Sequence, residues 1–380
     1  MIYLDNAATT YPKPQQVYRR WTEAIRTYGA NPGRGGYEFS AATSQAVYES
    51  RAACAELFGA EPENTVFTLN CTHALNIAIK GLGLKGVHYV ISDLEHNAVL
   101  RPVHACAAHY GGSYSIFETS DSDEITLARA ERAIRPNTVA LVCTAASNVT
   151  GRRLPLKELA QLCRRKGVIF IVDAAQGAGL LPLRLSDGIN IVCAAGHKGL
   201  YGPMGTGLML TDGSVRLRPF MEGGTGSASE SPLQPEFTPD RFESGTINTP
   251  GAIALGEGVR FVSAKGTETI LLHELELCKR FCEGMHRING AVLYTDITAE
   301  NIGSYAPVVS FNLVGRPAAE VATLLSERGF CLRAGLHCAP LAHRKLGTLE
   351  HGTVRFAPSV FTSKQDVDSL LTAIGRISDK

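Results

Sequence analysis

The sequence predicts an α/β fold, a mostly parallel sheet with helices on both faces, plus a smaller α+β domain. Short, nearly all-apolar segments recur along residues 15–258, as is typical of central strands covered on both faces. Helix-like stretches alternate with them, as in the crossover connections of a parallel sheet. Beyond residue 258 a long helical segment precedes only a few strand-like segments, which favours a separate α+β arrangement.

The individual elements follow from periodicity. Val17, Trp21, Ile25 and Tyr28 recur at helical spacing and predict a helix over Gln15–Tyr28. Apolar runs predict strands at Thr65–Leu69, Val87–Ser92, Tyr114–Phe117, Val139–Thr144, Val168–Val172, Ile189–Ala194 and Gly207–Leu210. A crossover helix is predicted over Pro155–Lys166, and a long loop over residues 222–245, which are rich in Gly, Ser, Pro and acidic residues.

The C-terminal region is predicted to contain helices at Ile270–Arg287 and Lys364–Ile377 and strands at Val308–Leu313 and Phe330–Arg333. We therefore predict a large domain of residues 15–258 and a small domain made of residues 1–14 and 259–380.

Composition excludes several classes of protein. With 37 basic and 36 acidic residues the formal charge is +1, which gives no support for a nucleic-acid or membrane partner. No signal peptide or membrane-spanning run is found, so a cytoplasmic location is expected. The ten cysteines form no CxxC pair, and Cys278 and Cys282 lack further ligands nearby. We predict neither a disulfide framework nor a metal site.

Two polar residues follow buried strand-like runs. Asp173 directly follows the run VIFIV (168–172). Lys198 comes shortly after the run INIVCA (189–194), within the segment AAGHKGLYGPMGTG. A lysine between a buried strand and a glycine-rich turn is costly to desolvate unless its amine has a chemical role. Pyridoxal 5'-phosphate needs an acid for its pyridinium nitrogen and a lysine for a Schiff base. The pair predicts a site for that cofactor beyond the carboxyl ends of the strands.

Three further strand ends carry polar groups that fit the same cofactor. Cys71 and Thr72 open a helix whose N–H groups can hold a phosphate, although N-capping by Thr72 is an alternative. His96 can stack on the pyridine ring or be a surface-loop histidine. Asn148 can donate to the phenolic oxygen or form an Asx-turn. Because five successive strand ends carry such groups, coincidence explains them poorly.

Cys338 lies in RAGLHCAP, whose glycine and polar residues indicate a surface loop. A nucleophilic cysteine reacts as the thiolate and has to be exposed to pass a group onward. Arg333 and His337 are the neighbouring candidates for favouring a thiolate. A buried filler is the alternative, but that role fits the apolar surroundings of Cys193 better.

Eight segments resemble those of cysteine desulfurases, within the class V aminotransferase superfamily that also includes selenocysteine lyases. They are YLDNAATT, NPGRGGYEFS, LEHNAV, SNVTG, VDAAQ, GHKGLYGPMGTG, FESGTINTP and RAGLHCAP, in the family's order. The resemblance implies a fold-type I pyridoxal-phosphate enzyme, and a homodimer whose active sites lie at the subunit interface.

The resemblance also implies roles around the cofactor. Lys198 would form the Schiff base, Asp173 would pair with the pyridinium nitrogen, and His197 would adjoin the phosphate. Gln176 and Asn148 would face the phenolic oxygen, and Asn148 would also border the substrate.

His96 would stack on the ring, and Cys71 and Thr72 would meet the phosphate. Thr246 would reach the phosphate of the other subunit. Arg355 would clamp the substrate's carboxylate as a bidentate fork. Without the resemblance, Arg355 is interpreted as an ordinary surface arginine.

Four positions depart from the family's pattern. Ala195 replaces a common hydroxyl residue and Cys71 a threonine, which weakens two phosphate contacts. Leu336 replaces a histidine that often lies two residues before the nucleophile, and Ala334 replaces a serine or threonine. These changes bear on cofactor affinity and substrate preference rather than on the fold.

The implied reaction converts L-cysteine to L-alanine and leaves the sulfur on Cys338 as a persulfide. An acceptor protein then takes the sulfur: an iron–sulfur cluster scaffold, a transfer protein or a tRNA-thiolation enzyme. Two alternatives remain open, namely another pyridoxal-phosphate reaction such as selenocysteine lysis, and a non-catalytic scaffold that kept the fold.

Overall fold

The computed structural model describes residues 1–33, 35–83 and 85–378. Its helices are α1 Gln15–Thr27, α2 Glu38–Phe58, α3 Cys71–Gly81, α4 Asn97–Tyr110, α5 Asp123–Ala133, α6 Leu156–Lys166, α7 Thr249–Lys265, α8 Thr267–Met285, α9 Ala318–Ser326, α10 Pro340–Lys345 and α11 Lys364–Ser378. Its strands are β1 Ile2–Tyr3, β2 Thr65–Thr68, β3 His88–Ser92, β4 Ser113–Phe117, β5 Thr138–Thr144, β6 Ile169–Asp173, β7 Ile191–Ala195, β8 Gly207–Thr211, β9 Ala291–Leu293, β10 Val309–Leu313, β11 Phe330–Cys331, β12 Arg333–Gly335 and β13 Thr353–Phe356.

The central sheet has seven strands in the order β2-β8-β7-β6-β5-β3-β4. Strands β3 to β7 pair in parallel, and β8 is antiparallel to both β2 and β7. All seven strands lie at the predicted places, within two residues of the predicted bounds. The predicted α/β class with a mostly parallel sheet is confirmed.

The sheet is covered on both faces. On β5, Ala140 and Val142 join a hydrophobic cluster with residues of α3 and α4, whereas Leu141 and Cys143 join a second cluster with residues of α6. All four side chains are fully buried. Burial on both sides explains why central strands such as β5 are nearly all apolar rather than alternating.

The C-terminal part contains an antiparallel sheet in the order β12-β13-β10-β9. The N-terminal residues join this part, since β1 pairs in parallel with β11 and Asp5 bridges to Ala357. This connectivity is compatible with the predicted grouping of residues 1–14 with 259–380, and the domain division itself stays a prediction.

Helix α1 is present where it is predicted, and only part of the apolar face that predicts it is buried. Val17 and Ala24 are its buried residues, whereas Trp21 is 37% exposed and Ile25 is 60% exposed. The helix packs on α7, a contact that the periodic pattern alone does not reveal. In the described part of the chain no helix is long and apolar enough to cross a membrane.

Candidate active site

Asp173 and Lys198 meet at the carboxyl edge of the central sheet. Asp173 ends β6, Lys198 comes three residues after β7, and Asp173 pairs in register with Cys193 of β7. Asp173 is only 2% exposed. Burial lowers the pKa of the Lys198 amine, and the nearby Asp173 carboxylate opposes that change. Such an amine reaches its neutral, nucleophilic form more readily than a surface lysine.

The turn that carries Lys198 requires its glycines. A Cβ atom on Gly199 would lie 2.3 Å from the carbonyl oxygen of Ala178. The turn closes through the N–H of Tyr201, which donates to the Lys198 carbonyl at 2.8 Å, and Tyr201 itself has a φ of 55°. The glycine-rich sequence around Lys198 therefore serves close packing of the backbone.

Cys71 is directed at Asp173 rather than outward. Its Sγ lies 3.4 Å from Asp173 Oδ1 and 3.4 Å from the Cys193 carbonyl oxygen. Burial, with the Asp173 charge, raises the pKa of the Cys71 thiol well above its usual value. Contact between Cys71 and a phosphate would therefore have to come from its backbone N–H.

Thr72 is exposed at the start of α3. The helix is capped by Asn70, whose side chain accepts from the N–H of His73 at 2.9 Å. The alternative that Thr72 is the N-cap is therefore wrong. Its predicted contact with a phosphate stays a prediction.

His96 caps α4, and its Nδ1 accepts from the N–H of Ala98 at 3.0 Å, which leaves the proton on Nε2. Burial lowers the pKa of His96, and the charges of Asp173 and Lys198 lie near enough to act on it. A plain surface-loop histidine is thus the wrong interpretation. The ring lies beside the two central residues of the site.

Glu95 was not anticipated from the sequence. It is fully buried, and its Oε1 accepts from the N–H of Thr144 at 3.0 Å and from the hydroxyl of Ser92. Burial raises its pKa to about 8, so the carboxyl is largely protonated at neutral pH. No composition or periodicity signal distinguishes a buried acid from an exposed one at this position.

Asn148 and Gln176 are both buried, at 8% exposure each. The Asn148 amide donates to the carbonyl of His337 at 2.8 Å, and among the described residues no backbone N–H donates to its Oδ1, as an Asx-turn would require. The Gln176 amide donates to the carbonyl of Ala7 at 2.9 Å. Each amide therefore ties a different part of the chain to the carboxyl edge of the sheet.

Cys338 is exposed on a strained turn. His337 and Cys338 have φ values of 47° and 56°, in the left-handed region that non-glycine residues rarely adopt. The carbonyl of Cys338 accepts from the N–H of Asn97 at 2.7 Å, directly beside His96. The predicted surface loop is confirmed, and the buried-filler alternative is wrong for this cysteine.

His337 does not act on the Cys338 thiol as predicted. Its side chain is buried, its Nε2 lies 3.0 Å from the Thr353 carbonyl, and burial lowers its pKa to about 2. The imidazole is therefore neutral and turned into the protein. Arg333 is exposed on β12 and is left as the predicted cationic neighbour.

Arg355 is 2% exposed, so its interpretation as a surface arginine is wrong. Its Nη2 lies 2.7 Å from Asp5 Oδ1 and its Nη1 donates to the Asn148 carbonyl at 3.0 Å. Its Nε is buried and has no hydrogen-bond partner among the described residues. Arg333 pairs with Arg355 across β12 and β13 and its positive charge acts on Arg355, which together fit an anionic substrate group.

Thr246 lies apart from Lys198 within a single chain. It is exposed and lines a cleft of about 410 Å³ with Gly33 and Ser227, whereas Lys198 lines a separate cavity. Its predicted contact with the other subunit stays a prediction. Arg34, within one of the eight resembling segments, lies outside the described residues.

The arrangement fits pyridoxal 5'-phosphate. A buried carboxylate and a desolvated amine lie together at Asp173 and Lys198. His197 has a buried Nδ1 without a partner in the described structure, and burial lowers its pKa to about 4. An unpartnered buried nitrogen is costly unless a polar ligand meets it. Together with the exposed start of α3, it offers polar contacts to a phosphate.

A family model described as aminotransferase class-V matches residues 2–370. The chain belongs to the class-V aminotransferase family. This class-V chain is 31% identical over 377 residues to a probable cysteine desulfurase of Methanothermobacter thermautotrophicus, covering 97% of the chain and 92% of the relative. It is 32% identical over 380 residues to a probable cysteine desulfurase of Pyrococcus abyssi, at 98% and 92% coverage.

Solved structures agree with this membership. The apo structure of a cysteine desulfurase from Thermococcus onnurineus superposes on this class-V aminotransferase with a TM-score of 0.92 and 31% identity, over 100% of this chain and 94% of that one. An Escherichia coli cysteine desulfurase gives a TM-score of 0.86 at 24% identity, with 99% and 94% coverage, and so shows the fold alone.

Proposed function

We propose that the chain is a pyridoxal-phosphate-dependent cysteine desulfurase, a sulfurtransferase that converts L-cysteine to L-alanine and holds the sulfur on Cys338 as a persulfide. The observation that carries the proposal is the exposed Cys338 turn, anchored at 2.7 Å to Asn97 beside His96. A nucleophilic thiol is thereby held close to the carboxyl edge that bears Lys198 and Asp173. The names of the relatives support the same reaction.

The cofactor, when bound, supplies an electron sink conjugated to the substrate's Cα. Lys198 would hold the cofactor and then take the Cα proton on Nζ, which its lowered pKa favours. The buried Asp173 carboxylate would keep a proton on the pyridine nitrogen, and the His96 ring would lie against the pyridine face. Phosphate contacts fall to His197, Thr72 and the backbone of Cys71, with Thr246 from a second copy.

Sulfur transfer is assigned to Cys338. Its thiolate forms an S–S bond to the substrate's sulfur while the Cβ–S bond breaks, and the electron pair of that bond stays with Cβ. Cβ then takes a proton and Lys198 would return a proton to Cα, so alanine and an enzyme persulfide result. The substrate's carboxylate is assigned to Arg355, whose unpartnered Nε is available to it.

We further propose a homodimer in the cytoplasm that delivers sulfur to an acceptor protein, with iron–sulfur cluster assembly as one destination. Net charge near zero gives no indication of which acceptor. Selenocysteine lysis is the second candidate, because Leu336, two residues before the nucleophile, departs from the family's pattern and selenium leaves more readily than sulfur.

The test is an assay of alanine and sulfide from L-cysteine with the wild type, Lys198→Ala and Cys338→Ala. We expect both variants to lose sulfur release, and Cys338→Ala alone to retain the cofactor's absorption. Sulfur release that survives Cys338→Ala would refute nucleophilic attack by this residue. Activity of Cys338→Ala on selenocysteine but not on cysteine would favour the second candidate.

A further inference from the structure

Three residues near the N-terminus hold the backbone on which Lys198 is mounted; we call Thr9, Thr10 and Lys13 the N-terminal clamp. The carbonyl of His197 accepts from Thr9 Oγ1 at 3.0 Å, from Thr10 N at 3.0 Å and from Lys13 Nζ at 2.8 Å. One carbonyl oxygen therefore accepts from three donors at 3.0 Å or less, in a segment about 185 residues away in sequence, and Thr10 Oγ1 lies 3.3 Å from it as well. Most carbonyls accept one or two hydrogen bonds.

The clamp fixes both peptide planes next to the Lys198 Cα. The His197 carbonyl lies in the plane that ends at the Lys198 nitrogen, and each peptide unit is rigid. Thr10 Oγ1 also donates to the Lys198 carbonyl at 3.0 Å, in the following plane. Fixing the two planes fixes the Cα–Cβ direction of Lys198, and hence the volume that its amine can reach.

Lys13 orients the other members of the clamp. Its Nζ lies 2.6 Å from Thr10 Oγ1, and in its protonated form the Lys13 amine can only donate. The Thr10 hydroxyl therefore accepts from Lys13, and its own proton is directed to the carbonyls of His197 and Lys198. Lys13 lies between Pro12 and Pro14, whose rings restrict the backbone and limit the ordering cost of the side chain.

Lys13 is an unusual cation for a purely structural lysine. In the described part of the chain no carboxylate forms an ion pair with it, and its two acceptors are neutral oxygens. Burial alone lowers its pKa to about 7. Desolvating an ammonium without a counterion is unfavourable, and the usual surface lysine keeps its amine in water.

We propose that Lys13 is a positioning residue for the catalytic lysine: through the His197 carbonyl and the Thr10 hydroxyl it sets the direction in which Lys198 presents its amine. Lys13 does not touch the reacting atoms. The inference rests on the proposed role of Lys198, and it adds a residue to which the resemblance assigns no role.

The test uses Lys13→Met, which keeps side-chain length and removes the donors, Lys13→Arg, which keeps charge and donors, and Lys166→Met as a control on an exposed lysine paired with Glu131. The first readout is the rate at which pyridoxal 5'-phosphate labels Lys198 in the cofactor-free chain, trapped with borohydride and mapped by peptide mass spectrometry. The second is kcat and KM for L-cysteine. Unfolding midpoints in urea identify any loss that is merely structural.

For Lys13→Met we expect labelling of Lys198 and kcat to fall on the order of tenfold, which corresponds to about 1.4 kcal/mol of barrier. KM should change less than about twofold, because the substrate contacts are untouched. Lys13→Arg should restore most of the loss, and Lys166→Met should match the wild type. Thr9→Val removes one donor to the same carbonyl and should give a smaller decrease in labelling and kcat. This variant replaces Lys13→Met as the test if Lys13→Met does not fold.

If a folded Lys13→Met protein has the wild-type labelling rate and kcat, the positioning role is overturned and the proposed function is unaffected. If Lys13→Met does not fold, the same result with Thr9→Val has the same meaning. A loss that follows the unfolding midpoint and that Lys13→Arg fails to restore would also overturn the positioning role. If the wild type itself is not labelled at Lys198, the proposed function is refuted, and the proposed positioning role of Lys13 is refuted with it.

Discussion

The thiol of Cys71 is in contact with the carboxylate of Asp173, Sγ to Oδ1 at 3.4 Å. The same oxygen accepts from the N–H of Ala175 at 2.9 Å. Asp173 Oδ1 therefore accepts one strong hydrogen bond, from the Ala175 N–H, and one weak hydrogen bond, from the Cys71 thiol. A thiol is a poorer donor than a hydroxyl. The departure of Cys71 from the family's threonine thus affects the acid rather than a side-chain contact with the phosphate.

We predict that Cys71→Ser binds pyridoxal 5'-phosphate more tightly than the wild type and that Cys71→Ala binds it less tightly, each by a factor of about two to ten. The reason is that a stronger donor stabilises the ionised Asp173 that pairs with the pyridinium nitrogen. Absorbance titration of the cofactor-free protein measures the dissociation constants. Cys163→Ala, at a buried thiol on α6, is the control; the reverse order of Ser and Ala would contradict the prediction.

The segment that bears Thr246 is held by a buried ion pair. Arg51 Nη1 and Nη2 lie 2.6 and 2.9 Å from the two carboxylate oxygens of Glu243, and both side chains are at least 90% buried. Glu243 also accepts from the N–H of Phe67 at 2.6 Å. The predicted long loop over residues 222–245 contains no helix or strand, and this contact fixes its C-terminal end.

Glu243→Ala should lower the free energy of unfolding by about 3–5 kcal/mol, because it leaves a buried guanidinium without its partner. Glu236→Ala offers a matched control in the same loop, since the Arg216–Glu236 pair is 77% exposed on both sides. That change should cost less than about 1 kcal/mol. Urea denaturation measures both values, and equal effects of the two substitutions would be inconsistent with the buried pair.

The buried histidine at 337 should make stability fall in acid. Its pKa is about 2 in the folded chain, against an ordinary value of 6.5. Between these values the unfolded chain binds a proton that the folded chain does not, so stability decreases as pH falls below about 6.5, by about 1.4 kcal/mol per pH unit. Glu95 acts in the opposite sense, since its pKa is raised to about 8 and the folded chain retains its proton.

The difference between wild type and His337→Gln isolates this contribution. From pH 6 to pH 4.5, the variant should lose stability less steeply than the wild type, by about 1.4 kcal/mol per pH unit. His351→Gln, at an exposed histidine, should leave the slope unchanged. Parallel slopes for His337→Gln and the wild type would show that His337 titrates in the folded protein as it does in the unfolded one.

Sequence patterns predicted most of the central sheet because most of its strands are buried on both faces and read as nearly all-apolar runs; β4, which is only partly buried, is the exception. The short strands β1 and β9, with two and three residues, gave no such run. These short strands form because neighbouring strands make hydrogen bonds with their backbone N–H and C=O groups, and those neighbours are brought there by the tertiary fold. The exposure of Trp21 and Ile25 on α1 does not follow from periodicity for a related reason, since burial depends on where α7 lies.

The candidate site was predictable in its residues but not in its contacts. Lys198, Asp173 and Cys338 follow strand ends or lie in a loop of recognisable composition, so chemistry could be assigned to them. The inward turn of His337 and the burial of Arg355 arise from the pairing of β12 with β13, which brings together segments about 20 residues apart. Lys13 offered no signal, because its acceptors are backbone and hydroxyl oxygens contributed by the fold.

The most direct measurement is to mix the cofactor-loaded protein with L-cysteine, quench, and map added sulfur by peptide mass spectrometry. We predict one extra sulfur atom on the peptide that contains Cys338, formed together with alanine and absent from Lys198→Ala. Alanine formation with the extra sulfur on another cysteine, or with none on the enzyme, would contradict the assignment of Cys338 as the sulfur acceptor.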